Sequence, residues 1–100
     1  MTIEKTFKAE EVIVKLDGRL ESNTSSKLQE ELSPIWEEGK YDILLDFEEL
    51  RYVSSAGLRV LLNTHKGCKA KGKVMTIKGA NASIREVFDL SGLSGVFAIV

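Results

Sequence analysis

Hydrophobic and polar positions alternate loosely at the start of the chain. Ile3, Lys5 and Phe7 set a period of two over Thr2–Lys8 and predict an edge strand. Val12-Ile13-Val14-Lys15-Leu16 is rich in β-branched residues and predicts a second strand, antiparallel to the first across Glu10-Glu11 and ending at Asp17-Gly18-Arg19-Leu20. The period then changes. Leu28, Leu32, Ile35 and Trp36 recur at spacings of four, three and one, which places them on one face of a helix over residues 23–38. The polar stretch Glu21–Ser26 offers caps for its start and Gly39 closes it, while Pro34 is expected to kink or divide it near Ser33.

Tyr41 to Phe47 is apolar except for Asp42 and Asp46, and predicts a strand in the middle of a sheet covered by helices. A short acidic turn follows, then Leu58, Leu61, Leu62, His65 and Cys68 at helical spacing over 56–70, with cations of Lys69–Lys73 at the negative end of the helix dipole. Val74–Ile77 predicts a fourth strand, Ile84, Val87 and Phe88 a third helix over 81–90, and Val96–Val100 a last buried strand after the turn Ser91–Gly95. The order β-β-α-β-α-β-α-β implies one α/β domain over residues 1–100: a mixed, mostly parallel sheet of about five strands packed with three or more helices.

Composition narrows the function classes. A hydrophobic fraction of 43%, a charged fraction of 29% and a single proline are those of an ordinary folded domain. No apolar run approaches the roughly 20 residues needed to span a bilayer, and no hydrophobic leader precedes the first strand, so a cytoplasmic protein without membrane contact is expected. Residues 1–50 carry 6 Lys/Arg and 13 Asp/Glu, net −7; residues 51–100 carry 8 and 2, net +6. Because two halves of a small domain interleave, internal charge pairing is the simplest expectation, with a polarised partner surface as the other. The basic stretch His65–Lys78 lacks interleaved aromatics, so no nucleic-acid partner is expected, and a monomer is the default.

Candidate chemistry concentrates where the third strand meets the second helix. Ser54 and Ser55 fall at the turn, where a hydroxyl caps free N–H groups and is equally open to a modifying enzyme; both readings fit. Asp46 reads as an acceptor for nearby backbone N–H groups, in structural support of this site. A hydrolase using Ser55, His65 and Asp46 fails on distance, since ten helical residues separate Ser55 from His65 by about 15 Å. Cys68 stands alone, no zinc-ligand spacing or phosphate-binding glycine pattern is present, and neither metal, cofactor nor catalytic residue is expected.

The element order, with Asp46-Phe47-x-x-Leu50-x-Tyr52-Val53-Ser54-Ser55-Ala56-Gly57-Leu58-Arg59-Val60-Leu61-Leu62, resembles the STAS domain, and more narrowly the bacterial anti-sigma factor antagonists. Gly18-Arg19-Leu20-Glu21-Ser22-Asn23-Thr24 is similar to the family's second signature loop. The resemblance implies a non-enzymatic partner switch. Unphosphorylated, such a domain captures a serine-kinase anti-sigma factor of the histidine-kinase-like ATPase fold and frees a sigma factor. The kinase phosphorylates a serine at the start of helix 2, and a serine phosphatase resets it. By position the modified serine is Ser55, with Ser54 the alternative because this chain has a second serine where the family often has aspartate. The implied contact surface comprises Glu21, Ser22, Asn23 and Thr24 with Ser54, Ser55, Ala56, Gly57 and Leu58. STAS-like domains also serve as constitutive accessory subunits of lipid-trafficking ABC transporters or signalling scaffolds, which is the alternative role.

Overall fold

A computed structural model describes residues 1–100. The elements run β1 (Thr2–Phe7), β2 (Glu11–Leu20), α1 (Ser22–Glu38), β3 (Asp42–Val53), α2 (Ser55–Ala70), β4 (Met75–Lys78), α3 (Ala82–Leu90) and β5 (Ala98–Ile99). The single sheet has the order β1-β2-β3-β4-β5. β1 lies antiparallel to β2, and every later pairing is parallel. This is the expected mixed α/β architecture with the expected element order.

Helix placement follows from that order. Each of the three crossovers steps the same way across the sheet, and right-handed crossovers that step one way put their helices on one face. The core confirms it: Val12, Val14, Leu16, Ile43, Leu45, Phe47, Met75 and Ile77 form one cluster with Leu28, Leu32 and Ile35 of α1, Leu61 and Cys68 of α2, and Ile84 and Phe88 of α3. The alternate positions face away from the helices. The expectation of a central strand covered by helices therefore holds for one face of β3 only. The other face carries half-buried Asp42, Leu44 and Asp46, and strand register lines up Glu4, Lys15, Asp46 and Lys78 as neighbours of alternating sign.

Several boundaries differ from the sequence expectation, each for a local reason. β2 does not stop at Asp17–Leu20 but continues through it, because Gly18 adopts φ +123° and lets the strand bend. The acidic turn after Phe47 is strand as well. β3 carries one extra residue between the pairs Lys15↔Asp46 and Asp17↔Glu49, and another between Gly18↔Leu50 and Arg19↔Tyr52. The first bulge is fastened by Asp46 Oδ1, which accepts from the Glu48 N–H at 3.0 Å. Pro34 does not divide α1, which runs unbroken from Ser22 to Glu38. Pro34 and Glu30, whose carbonyl loses its helical donor, are both exposed, so water can replace the missing bond. The last strand shrinks to Ala98–Ile99, and Phe97 instead wedges edge-on between His65 and Phe88 at ring-centroid distances of 5.9 and 5.4 Å.

α1 and α2 pack closely because α2 has a glycine at their crossing. A Cβ on Gly67 would lie 2.3 Å from the Trp36 ring. The ion pairs are Lys5–Glu31, Arg19–Glu21 and Lys40–Glu38. All six residues lie in the acidic half of the chain, so direct pairing does not neutralise the contrast between the halves. No helix is long and apolar enough to cross a membrane.

Candidate functional site

The parallel strands β2, β3 and β4 each lead directly into a helix, so the N-termini of α1, α2 and α3 open at the same edge of the sheet. Unpaired N–H groups and the positive dipole ends of the helices gather there. Backbone bonds tie the junctions together. The Ser54 N–H donates to the Leu20 carbonyl at 2.8 Å, joining the start of α2 to the start of α1. Asn81 caps α3 by accepting from the Ile84 N–H at 2.8 Å, and its Nδ2 donates to the Leu50 carbonyl at 3.2 Å.

The two serines sit differently at this turn. Ser54 is the N-cap of α2: its backbone is extended, and its Oγ accepts from the Gly57 N–H at 3.2 Å. It is half-buried. Ser55 is the first helical residue, is exposed, and has its hydroxyl outside that capping bond. The N–H groups of Ser55 and Ala56 lack intrahelical partners, as in the first turn of any helix. Ala56 and Leu58 are half-buried beside it. Gly57 is buried, and a Cβ there would lie 2.9 Å from the Leu20 side chain and 3.1 Å from that of Val53. Its smallness lets the helix sit down on the β2 end.

The stretch Gly18–Thr24 is not a loop. Gly18–Leu20 belongs to β2, Glu21 is the N-cap residue of α1, and Ser22–Thr24 form its first turn. Glu21, Ser22 and Asn23 are exposed. Thr24 and Asn23 work internally: the Thr24 hydroxyl accepts from the Glu21 N–H and donates to the Arg19 carbonyl, each at 2.8 Å, and Asn23 Oδ1 accepts from the Thr24 N–H at 2.9 Å. The structure thus brings Glu21–Thr24 and Ser54–Leu58 to adjoining junctions. Asp46 lies farther back in β3, on the sheet face away from the helices, where it holds the bulge rather than the serine.

Sequence reasoning missed the residues that orient Glu21. The Arg19 guanidinium lies 4.4 Å from the Tyr52 ring centroid, and its Nε donates to Glu21 Oε1 at 3.3 Å. Arg19 and Tyr52 are paired across β2 and β3, a relation fixed by the second bulge and invisible without the register. Arg59, exposed one helical turn after Ser55, was also passed over, although its i+4 spacing was readable. No three His, Cys, Asp or Glu residues are grouped so as to hold a metal ion. Cys68 is buried, and burial, with a smaller contribution from the Asp42 charge, pushes its thiol up from 9.0 to about 11.

Residues 3–100 match the family described as "Mlab, STAS domain". The chain is 29% identical over 99 residues to the anti-sigma-B factor antagonist of Staphylococcus aureus strain NCTC 8325, covering 99% of this chain and 92% of that protein. Among solved structures it superposes on a putative anti-sigma factor antagonist from Thermotoga maritima with a TM-score of 0.90 at 17% identity, covering 97% of this chain and 84% of the other. It also superposes on the anti-sigma factor antagonist SpoIIAA. The unphosphorylated form gives a TM-score of 0.80 at 18% identity, covering 99% and 87% of the two chains. The phosphorylated form, from Bacillus, gives 0.80 at 21%, covering 99% and 91%.

Proposed function

The chain belongs to the STAS domain family of anti-sigma factor antagonists, and on that footing we propose that it is a partner switch operated through Ser55. Unmodified, it captures a serine-kinase anti-sigma factor and so releases a sigma factor. Phosphorylated at Ser55 by that kinase, it lets go, and a serine phosphatase restores it. The observation that carries this reading is the division of labour at the start of α2. Ser54 makes the cap, so Ser55 presents an exposed hydroxyl that the fold does not require.

The electrostatics support the same reading. A phosphate adds about −1.5 to −2 charges at neutral pH, and at Ser55 it would face the free N–H groups and positive end of α2, with Arg59 one turn away. The helix accommodates that charge, so modification alters the surface while leaving the packing intact. A partner fitted closely to the first turn, or carrying acidic groups opposite it, is expelled by the added volume and charge. That SpoIIAA resembles this chain equally in its phosphorylated and unphosphorylated forms accords with a switch of surface rather than of fold. Glu21, steadied by Arg19, and the exposed Ser22 and Asn23 beside it supply the second part of the contact surface.

The test is a pull-down from the native host with wild-type, Ser55→Ala and Ser55→Asp baits, read by mass spectrometry. Wild type and Ser55→Ala are expected to retain a small histidine-kinase-like ATPase that Ser55→Asp loses. Retention of one and the same set of transporter or scaffold proteins by all three baits sinks the switch and favours a constitutive accessory subunit.

A further inference from the structure

A cavity of about 430 Å³ opens between the last turns of α2 and the neighbouring β4–β5 edge of the sheet. Ser55 and Lys69 stand fourteen helical residues apart, about 21 Å along α2, so the cavity is remote from the Ser55 turn. One wall is basic and consists of His65, Lys69 and Lys73. The opposite wall is aliphatic, with Val74, Val96 and Ala98 over the buried Met75. Val74 and Val96 are 53% and 42% exposed, so the space is open to a ligand from solvent. No Asp or Glu lines it.

The sign of the charge here is unambiguous. Residues 51–85 carry eight Lys and Arg and no Asp or Glu, and none of the eight is in an ion pair. Two carboxylates adjoin the cavity without lining it: Asp42 Oδ1 accepts from the Val74 N–H at 2.9 Å, and Asp89 Oδ1 from the Ser94 hydroxyl. Against them stand Lys69 and Lys73 in the wall, with exposed Lys66 and Lys71 close by in sequence. The last carbonyls of α2, which would repel an anion, are covered. Cys68 accepts from the Lys71 and Lys73 N–H groups, and Lys69 from that of Gly72. Scattered lysines and single exposed valines are ordinary surface features. Here unpaired ammonium groups face a row of uncovered aliphatic side chains across one concavity, of a size that takes small ligands.

We infer that this cavity is a binding site for a small organic anion with an aliphatic body. The carboxylate or phosphate head pairs with the Lys69 and Lys73 ammonium groups beside His65, and the body lies along Val74, Val96 and Ala98. Aliphatic walls suit a flexible alkyl chain better than a planar ring. The site stands apart from the partner-switch reading, since no residue of the cavity belongs to the Ser55 surface.

The chain has one histidine and so a single set of imidazole resonances, placed in the basic wall. ¹⁵N-labelled full-length protein is titrated with octanoate below its micelle concentration, and in separate arms with 1-octanol, inorganic phosphate and phosphatidylglycerol vesicles. Octanoate is expected to shift the His65 ring and the amides of residues 73–75 and 95–98 saturably, leaving residues 54–58 in place. Octanol and phosphate, each lacking one half of the ligand, should bind at least about tenfold more weakly. Lys69→Gln combined with Lys73→Gln, which removes the charge and keeps most of each stem, should weaken octanoate about five- to tenfold while the amide spectrum stays that of the wild type. Octanol binding as well as octanoate, or phosphate doing so, overturns the inference by showing a merely apolar or merely cationic surface. Shifts that spread over the whole protein without saturating, or full affinity in the double variant, overturn it too. A response to the vesicles with none to octanoate assigns the patch to a lipid surface and also overturns the cavity.

Discussion

The two ends of α2 are built on opposite terms. At the N-terminus a side chain does the capping, the next residue is exposed, and no packing depends on its hydroxyl. At the C-terminus backbone and packing do everything. The Lys71 and Lys73 N–H groups donate to the Cys68 carbonyl at 3.0 and 2.8 Å, Cys68 is buried, and Gly67 lies hard against the Trp36 ring. The difference teaches how one helix can be held fast at one end and leave an uncommitted hydroxyl at the other. The anchored end fixes the position of the helix, so a charge added at Ser55, as the proposed switch requires, would not need to move it.

The anchored end should show the largest response to substitution. Gly67→Ala places a methyl group 2.3 Å from the indole, and the ring cannot retreat without leaving its bed on α2. A loss of about 2–4 kcal/mol in urea unfolding is expected. Because the damage is a clash between two residues, the effect of Gly67→Ala should shrink sharply in a Trp36→Ala background. Additive losses would show that the glycine serves the backbone instead.

A pH dependence is next in size. The Cys68 thiol, raised from 9.0 to about 11 by burial, keeps its proton in the folded state when the unfolded chain has already released it. The associated stability is fully present below pH 9 and is lost as pH rises toward 11. The whole step amounts to about 2–3 kcal/mol. Unfolding free energies measured between pH 8 and 10.5 should fall more steeply for the wild type than for Cys68→Ala. Parallel curves would refute the assignment.

The N-terminal end should respond least, and unequally between its two serines. Ser54→Ala removes the cap and should cost about 1 kcal/mol. Ser55→Ala should change stability by less than about 0.5 kcal/mol, and Ser55→Asp by no more, since the added charge sits at the favourable end of the dipole. Thermal melts of the three variants decide it. Equal losses for Ser54→Ala and Ser55→Ala would erase the division of labour on which the proposed switch depends.

Much of this was legible in the chain, and for identifiable reasons. Periodicity located all eight elements, and the Leu28, Leu32, Ile35 spacing identified the buried face of α1. What the sequence hid was what depends on neighbours in space. Two extra residues in β3 turned an apparent acidic turn into strand, and the same bulges set Arg19 beside Tyr52. Hydropathy alone read Leu44 as core, because an apolar side chain on an uncovered sheet looks the same in sequence as one beneath a helix. At the site, two adjacent serines were indistinguishable until backbone geometry made one the cap and left the other outside it.

The strand order of the sheet is also the order of the chain. During synthesis, therefore, each strand that leaves the ribosome finds the neighbour it must pair with already made, and none has to wait for a later segment to fill a gap. Growth proceeds outward from the β1–β2 hairpin by successive helix–strand units, each laid against the last. The final unit adds only the short β5, so nearly all of the sheet's pairing is independent of it. The start of α2 therefore rests on β2 and β3, both made before it, and does not wait for the units that follow.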